Sequence, residues 1–175
     1  DIIYPTEVFM VFPASIESGS VSDTENAGKM LGEYLLSAGE NDAFIALYGD
    51  LGAGKTAFVR GLAEVLTPGA PVCSPTYTVV NEYRGKSGRR LCHFDMYRIA
   101  DDDDLYSIGF YDYSGCIMAA EWCEKIPFAL PDDYFRVTIR KTGENDRKIT
   151  IERIRGTLGE NFFKKSFSEI FKKFL

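Results

Sequence analysis

The chain has few of the side chains that bind soft metal ions. It contains one histidine and four cysteines, and the cysteines stand apart at Cys73, Cys92, Cys116 and Cys123. A structural zinc site needs C-x-x-C pairs or several histidines, and neither occurs here. A chain of 175 residues is also too long to depend on a disulfide framework. The sequence therefore predicts reduced cysteines that act as small core residues.

The chain also lacks long apolar runs and an excess of positive charge. No segment reaches the roughly 18 apolar residues that cross a bilayer, and no charged-then-apolar leader opens the sequence. The net charge is −6, whereas proteins that bind nucleic acid alone present a basic face to the phosphates. We expect a cytoplasmic protein that neither meets a membrane nor binds nucleic acid autonomously.

The hydrophobic pattern predicts an α/β domain. The composition is 45% hydrophobic and 26% charged, which is typical of a domain with a sizeable core. We expect one domain over residues 1–160 and a terminal helix over 161–175. Apolar runs bounded by turn residues predict strands at 8–12, 43–48, 77–84, 90–94, 116–120, 134–141 and 148–154. Amphipathic stretches predict helices at 22–36, 56–66 and 101–108, the first capped by Ser22 with Glu25 three residues later. Strands interleaved with helices favour a mostly parallel sheet, with an antiparallel hairpin late in the chain.

The predicted terminal helix has an apolar face beside a basic one. Docking on the domain is the expected arrangement, and a helix that binds a membrane surface or a partner is the alternative. The apolar face would consist of Phe163, Phe167, Ile170, Phe171 and Phe174, with Lys164, Lys165, Lys172 and Lys173 beside it.

A phosphate-binding motif lies between a predicted buried strand and a predicted helix, which is the context that the motif requires. Its glycines let backbone N–H groups point at a β-phosphate, and the helix N-terminus adds the positive end of its dipole. The lysine would reach the β- and γ-phosphates and the threonine hydroxyl would ligate Mg²⁺. The residues are Gly49, Asp50, Leu51, Gly52, Ala53, Gly54, Lys55 and Thr56.

Two carboxylates end predicted strands that could neighbour this loop. Asp95 ends the strand at 90–94 and Glu121 ends the strand at 116–120. Ligands gather at the carboxyl ends of strands in α/β sheets, so both side chains could face a nucleotide. One division of roles gives Asp95 to Mg²⁺ and Glu121 to the attacking water. The alternative for each is a solvated charge at the end of a strand.

Three further features have two interpretations each. Thr76 could contact the γ-phosphate in a switch-like loop, or belong to a turn fixed by Pro75. His93 could act as a base, although a structural histidine is favoured. The acidic run 101–104 is better explained as a solvated helix start than as a metal site.

Taken in order, these segments resemble the TsaE family of bacterial ATPases. The resemblance covers about residues 22–154 and rests on GDLGAGKT (49–56), SPTYTVVNEY (74–83), HFDMYR (93–98), IG (108–109) and EW (121–122). It implies a P-loop NTPase-like fold, ATP and Mg²⁺ as cofactors, and weak hydrolysis by the protein alone. It also implies association with the TsaB–TsaD pair, which transfers a threonylcarbamoyl group to tRNA, so that contact with tRNA would be indirect.

The resemblance also implies roles for individual residues. Lys55 and Thr56 would contact phosphate and Mg²⁺, Thr76 would lie in the switch-like segment, and Asp95 would be the Mg²⁺-linked acid. Glu121 would be needed for hydrolysis and would stand close to the metal. Trp122 would neighbour the nucleotide, although Cys123 replaces the proline that usually follows it.

Two other functional classes use the same loop. A small-molecule or nucleoside kinase needs arginines that cover the transferred phosphoryl group, and Arg84, Arg89 and Arg90 are the available candidates. A non-enzymatic module that holds ATP structurally would have no use for Asp95 and Glu121. A GTPase is disfavoured because the chain has no Asn-Lys-x-Asp motif.

Overall fold

The structure is a computed structural model that describes residues 10–156. The predicted terminal helix at 161–175, and residues 8 and 9 of the predicted first strand, lie outside the described residues. Among residues 10–156, no helix is long and apolar enough to cross a membrane.

Within residues 10–156, seven strands form one sheet in the order β1-β7-β6-β2-β5-β4-β3. The four central strands, β6, β2, β5 and β4, are parallel to one another, and β1, β7 and β3 add antiparallel pairs at the two sides. The predicted α/β class and the late antiparallel hairpin are confirmed. The strands are β1 (Ala14–Ser18), β2 (Ala43–Tyr48), β3 (Val80–Arg84), β4 (Arg90–Asp95), β5 (Ile117–Glu121), β6 (Asp133–Lys141) and β7 (Arg147–Arg155).

Two long helices cover one face of the sheet. They are α1 (Val21–Ser37) and α2 (Lys55–Leu66), and their apolar stripes pack on inward-facing residues of β2, β6 and β7. The central strand β2 is apolar throughout, as expected for a parallel strand buried on both faces. This helical layer fixes the direction of β2, and therefore the position of the loop that follows β2.

Glycines let α1 and α2 approach each other closely. A Cβ atom added at Gly28 would lie 2.0 Å from the carbonyl oxygen of Phe58, and one added at Gly61 would lie 1.8 Å from that of Glu25. Both distances are far below van der Waals contact, so only glycine fits at either position. The N-terminus of α2 is thereby held against α1.

The other face of the sheet is covered by shorter elements. The helix α3 (Asp102–Ser107) and three 3₁₀ turns at Phe110–Asp112, Cys123–Lys125 and Pro127–Ala129 enclose a second apolar cluster around Phe94. The expected helix start at the acidic run is confirmed, because the Asp101 side chain accepts a hydrogen bond from the Asp104 N–H at 3.1 Å.

Three local predictions are wrong. Residues 10–12 are not a strand. The edge strand is β1, which begins at Ala14, two residues after the predicted strand ends. The cap of α1 is Ser20 rather than Ser22, because the Ser20 side chain accepts from the Asp23 N–H at 3.1 Å. The third strand begins at Val80 instead of Tyr77, because residues 76–79 form a turn.

Candidate nucleotide-binding site

The glycine-rich loop runs from the carboxyl end of the central strand β2 to the N-terminus of α2. Gly54 immediately precedes the helix with a φ of 113°, a conformation that a side chain would strain. A Cβ atom at Gly49 would lie 2.5 Å from the Ile139 carbonyl oxygen, so β6 leaves no room for a larger residue. The loop is therefore built tightly against the sheet, with the first N–H groups of α2 left for a ligand.

Lys55 is the buried cation of this loop. Its side chain is folded over the loop, where Nζ donates to the carbonyl oxygens of Gly49 at 2.5 Å and Asp50 at 3.0 Å. Burial lowers the pKa of Lys55 below its usual value, and the carboxylates of Glu121 and Asp95 act in the opposite direction. An anion near Nζ would raise this pKa, because it favours the charged ammonium.

The two candidate carboxylates are neighbours. β4 and β5 are parallel, and their register pairs Asp95 directly with Glu121 at the carboxyl edge of the sheet. Both side chains are buried, with residue exposures of 6% and 4%. The Thr56 hydroxyl donates to Glu121 Oε1 at 2.7 Å, which joins the strand-end acid to the first turn of α2. The structure thus brings together the loop and both acids that the sequence singled out.

His93 is completely buried behind Glu121. Its Nε2 lies 2.8 Å from the same Glu121 Oε1 that accepts from Thr56, while Nδ1 has no hydrogen-bond partner among residues 10–156. A carboxylate only accepts hydrogen bonds, so this contact assigns the proton to Nε2. The sequence favours a structural histidine at position 93, and the structure shows that its side chain contacts Glu121.

The segment before β3 approaches the site from the other side. The Thr76 hydroxyl donates to Asp95 Oδ2 at 2.9 Å, and the Ser74 hydroxyl lies 2.7 Å from that of Thr76. Val79, which closes this turn, has a φ of +67°, an unfavourable conformation for a β-branched residue. Such strain concentrates in segments that bind ligands or change conformation.

Trp122 extends the site beyond Glu121. The Lys55 ammonium lies 3.8 Å from the centroid of its ring, and the ring also packs on Tyr97 at 5.1 Å between centroids. Trp122 itself has a φ of +63°. The chain turns sharply after the strand, and this turn directs the indole over the lysine.

Two cavities meet at the loop. The first, of about 230 Å³, is lined by the loop, Thr56, Thr76, Asp95, Glu121 and Trp122. The second, of about 400 Å³, lies beyond Ala57 between the start of α1 and the β6–β7 turn. Both cavities are lined by Gly52, Ala53, Gly54 and Ala57. The loop therefore borders both cavities.

Two cations from the β6–β7 hairpin support the loop from outside. Lys141 Nζ donates to the Leu51 carbonyl at 2.7 Å, and Arg147 donates to the carbonyls of Ala53 at 3.0 Å and Gly52 at 3.4 Å. Sequence reasoning missed both residues. They stand at the two ends of a recognised hairpin turn, but only the register of β6 beside β2 brings that turn to the loop.

Other candidates lie elsewhere. Arg84, Arg89 and Arg90 surround the β3–β4 turn, at the opposite end of β4 from Asp95, where they contact Glu82 and Asn41. None of these three arginines lies at the loop, where Arg147 contacts backbone carbonyls. No group of three or more His, Cys, Asp or Glu side chains in this range could hold a metal ion alone.

The cysteines are free thiols. Cys92, Cys116 and Cys123 are buried as expected, whereas Cys73 is exposed. Burial raises the pKa of the Cys123 thiol, which keeps it neutral.

Comparisons with known proteins agree on one family. The family model described as threonylcarbamoyl adenosine biosynthesis protein TsaE matches residues 18–149. The tRNA threonylcarbamoyladenosine biosynthesis protein TsaE of Treponema pallidum is 34% identical over 136 residues, or 77% of this chain and 96% of that protein. Its counterpart in Haemophilus influenzae is 41% identical over 115 residues, covering 64% of this chain and 72% of that protein.

A solved structure has the same fold. The crystal structure of Bacillus subtilis YdiB superimposes with a TM-score of 0.59 at 26% identity, and the match covers 95% of this chain and 99% of that one. The matched region of the family model includes the loop, both carboxylates and the hairpin cations.

Proposed function

The chain belongs to the TsaE family, and from this premise we propose that it is an ATP-hydrolysing accessory protein of tRNA threonylcarbamoyladenosine modification. The relatives are named for that pathway. The more specific part of the proposal is that the protein hydrolyses ATP in support of a partner transferase. The geometry of the loop and of the two acids supports this part.

ATP is the proposed ligand of the glycine-rich loop. The N-terminus of α2, the glycine backbone and the buried Lys55 form an electropositive cradle of the kind that binds phosphates. When phosphates enter, the Lys55 ammonium would exchange the carbonyls of Gly49 and Asp50 for phosphate oxygens. The adjoining 400 Å³ cavity offers space for ribose and base.

The oxygen ligands at the site suit Mg²⁺. This ion uses one or two protein ligands together with phosphate oxygens and water, so a cluster of three carboxylates is unnecessary. The Thr56 hydroxyl and the Asp95 carboxylate line the phosphate cavity and would hold the ion, with Glu121 close by. Bound Mg²⁺ would neutralise charge on the phosphates during hydrolysis.

Glu121 is proposed to orient the water that attacks the γ-phosphate. Its Oε1 is occupied by Thr56 and His93, whereas Oε2 makes no hydrogen bond within residues 10–156. Thr76 and Asp95 form a second bonded pair that would sense the γ-phosphate from the switch-like segment. Hydrolysis would thereby change the contacts of a strained loop.

The proposed partner is the TsaB–TsaD pair. The described part of the chain is one sheet with its covering helices, and the phosphate loop and both strand-end acids lie at one cavity. A nucleotide-dependent change in the 74–79 segment would act on the partner, which would carry out the transfer.

The observation that carries this proposal is the pairing of Asp95 with Glu121 behind the phosphate loop. It is tested by measuring ATP hydrolysis and tRNA modification with and without purified TsaB and TsaD. Slow hydrolysis alone is expected, together with repeated rounds of modification only when the protein is present. Glu121→Gln should still bind ATP but abolish repeated rounds, while Glu33→Gln, on the exposed side of α1, should behave as the unmodified protein.

Two results would contradict the proposal. Hydrolysis that survives Glu121→Gln unchanged would remove the role of that carboxylate. Transfer of phosphate to an added nucleoside or metabolite, with no effect on TsaB and TsaD, would identify a kinase instead.

A further inference from the structure

An aromatic cavity of about 260 Å³ lies on the face of the sheet that α1 and α2 do not cover. It opens at the starts of β2 and β6, the opposite edge from the nucleotide site. Tyr111 remains 44% exposed there. The residues that define this aromatic cavity are Phe44, Phe110, Tyr111 and Tyr113, with Asp42 and Asp133 at its rim.

The cavity can accept an aromatic ring. A cavity of roughly 150 Å³ lined by apolar side chains binds benzene, so the larger space here accommodates a phenylalanine side chain. The aromatic walls would make edge-to-face contacts with it, as Phe44, Phe94 and Phe110 already do with one another.

The rim of the cavity carries two carboxylates, and Arg153 neutralises one of them, Asp133. Asp42 is exposed, and within residues 10–156 its side chain makes neither a hydrogen bond nor an ion pair. Asp133 is bound by Arg153 at 2.5 and 2.8 Å, and the Tyr111 hydroxyl donates to Asp102 at the start of α3. A basic, aromatic segment would complement this surface.

Such a segment leaves the sheet beside the cavity. β7 ends at Arg155, which pairs with Asp133, and the Gly156 N–H donates to the Asp132 carbonyl at 2.7 Å. The next 19 residues include five phenylalanines and four lysines. Phe162 is six residues beyond Gly156, within about 20 Å of it even in an extended chain.

We propose that residues 157–175 of this chain dock into the aromatic cavity through their phenylalanine side chains, with a lysine facing Asp42 at the rim. The N-terminal segment is the wrong occupant, because Met10 and Phe12 pack against the cluster on the α1–α2 face.

Photo-crosslinking in the full chain tests this contact. Benzoylphenylalanine in place of Phe167 should crosslink within the same molecule to residues 110–118 and 129–133, at a yield independent of protein concentration. The same group in place of Ser166, on the other side of the predicted helix, should give a lower yield. Asp42→Lys should reduce the yield from position 167 about twofold, the value of one exposed ion pair. Glu33→Lys, at an exposed site on the α1 side, should leave it unchanged.

Other crosslinking results would overturn the proposal. Crosslinks to another surface, to a second copy of the chain, or none at all would each show that the cavity is not the docking site. Loss of the crosslink together with binding to phosphatidylserine vesicles would assign the segment to a membrane surface. Melting curves of each variant confirm that a lost crosslink does not reflect unfolding.

Discussion

His93 is the side chain that fixes the orientation of Glu121. It is fully buried, and its single polar contact among residues 10–156 is the hydrogen bond to Glu121 Oε1. A buried carboxylate that loses one of two hydrogen bonds is less stable and less firmly oriented, although Thr56 would still bind Oε1 of Glu121. His93 therefore acts as a positioning residue under the proposed function, without touching the nucleotide.

Substitution of His93 should separate turnover from binding. His93→Leu should lower kcat for ATP hydrolysis roughly tenfold with little change in KM, because about one hydrogen bond to a charged group is lost. His93→Gln should recover most of the activity, since its amide can donate to Glu121 from a similar position. Equal losses in both variants, tracking their melting temperatures, would show that position 93 is structural only.

Tyr48 provides a test of pH dependence at the end of β2. Burial raises the pKa of Tyr48 from 10.0 to about 12, with Cys123 contributing in the same direction. Between these values the folded state retains a proton that the unfolded state has lost. The free energy of unfolding should therefore fall as pH rises from about 10 to about 12.

Replacing the phenol should remove part of this fall. Denaturant unfolding of Tyr48→Phe, measured at steps of pH from 9 to 12, should show a shallower decline than the unmodified protein. Tyr77→Phe is the matched control, because the Tyr77 side chain is 86% exposed. Parallel curves for Tyr48→Phe and the unmodified protein would contradict the assignment.

Among the secondary-structure elements, the β6–β7 hairpin matters for the phosphate loop. Arg147 joins the loop carbonyls of Gly52 and Ala53 to the hairpin carbonyls of Gly143, Glu144 and Asp146. One guanidinium thus ties two elements that are far apart in sequence. The loop conformation depends on this support, because glycine residues restrict the backbone dihedral angles very little.

Loss of this guanidinium should weaken nucleotide binding. Arg147→Ala should raise the Kd for ATP about tenfold, since hydrogen bonds from a charged group to two loop carbonyls are removed. Lys148→Ala, the exposed neighbour on β7, should leave the Kd unchanged. Calorimetry, or Trp122 fluorescence if it responds to nucleotide, would measure the Kd of each variant. Equal Kd values for Arg147→Ala and the unmodified protein would show that the loop holds its shape unaided.

The close packing of α1 against α2 leads to a prediction about Gly61. Alanine normally stabilises a helix by about 1 kcal/mol relative to glycine. At Gly61 the added Cβ would overlap the Glu25 carbonyl, so Gly61→Ala should instead destabilise the protein by about 1–3 kcal/mol. Gly19→Ala, where the nearest atom is 3.6 Å away, is the matched control in the same unfolding experiment. A stabilised Gly61→Ala variant would mean that the helices can separate freely.

Considered as a whole, the molecule was predictable where local chemistry decides the structure. The strand at 43–48, the phosphate loop and the 101–104 helix start depend on neighbouring residues, and the sequence located each of them. The roles of His93, Lys141 and Arg147 depend on which strands lie side by side, a property that no local pattern contains. The N-cap error at Ser22 arose because Ser20, two residues earlier, offers the same capping chemistry.

The net charge of the chain makes a final prediction about tRNA. With 26 acidic and 20 basic residues, the protein should repel a polyanion at long range, so any role in tRNA modification would be exerted through a partner. Fluorescence anisotropy of labelled tRNA should show no binding by the full chain at about 0.15 M salt, where charges beyond roughly 8 Å are screened. Lys164, Lys165, Lys172 and Lys173 are the residues best able to defeat this expectation. The contrary result would be tRNA binding that depends steeply on salt and is abolished when these four lysines are replaced by glutamine. In that case the terminal segment contacts the RNA directly, and the expectation of indirect contact through a partner is wrong.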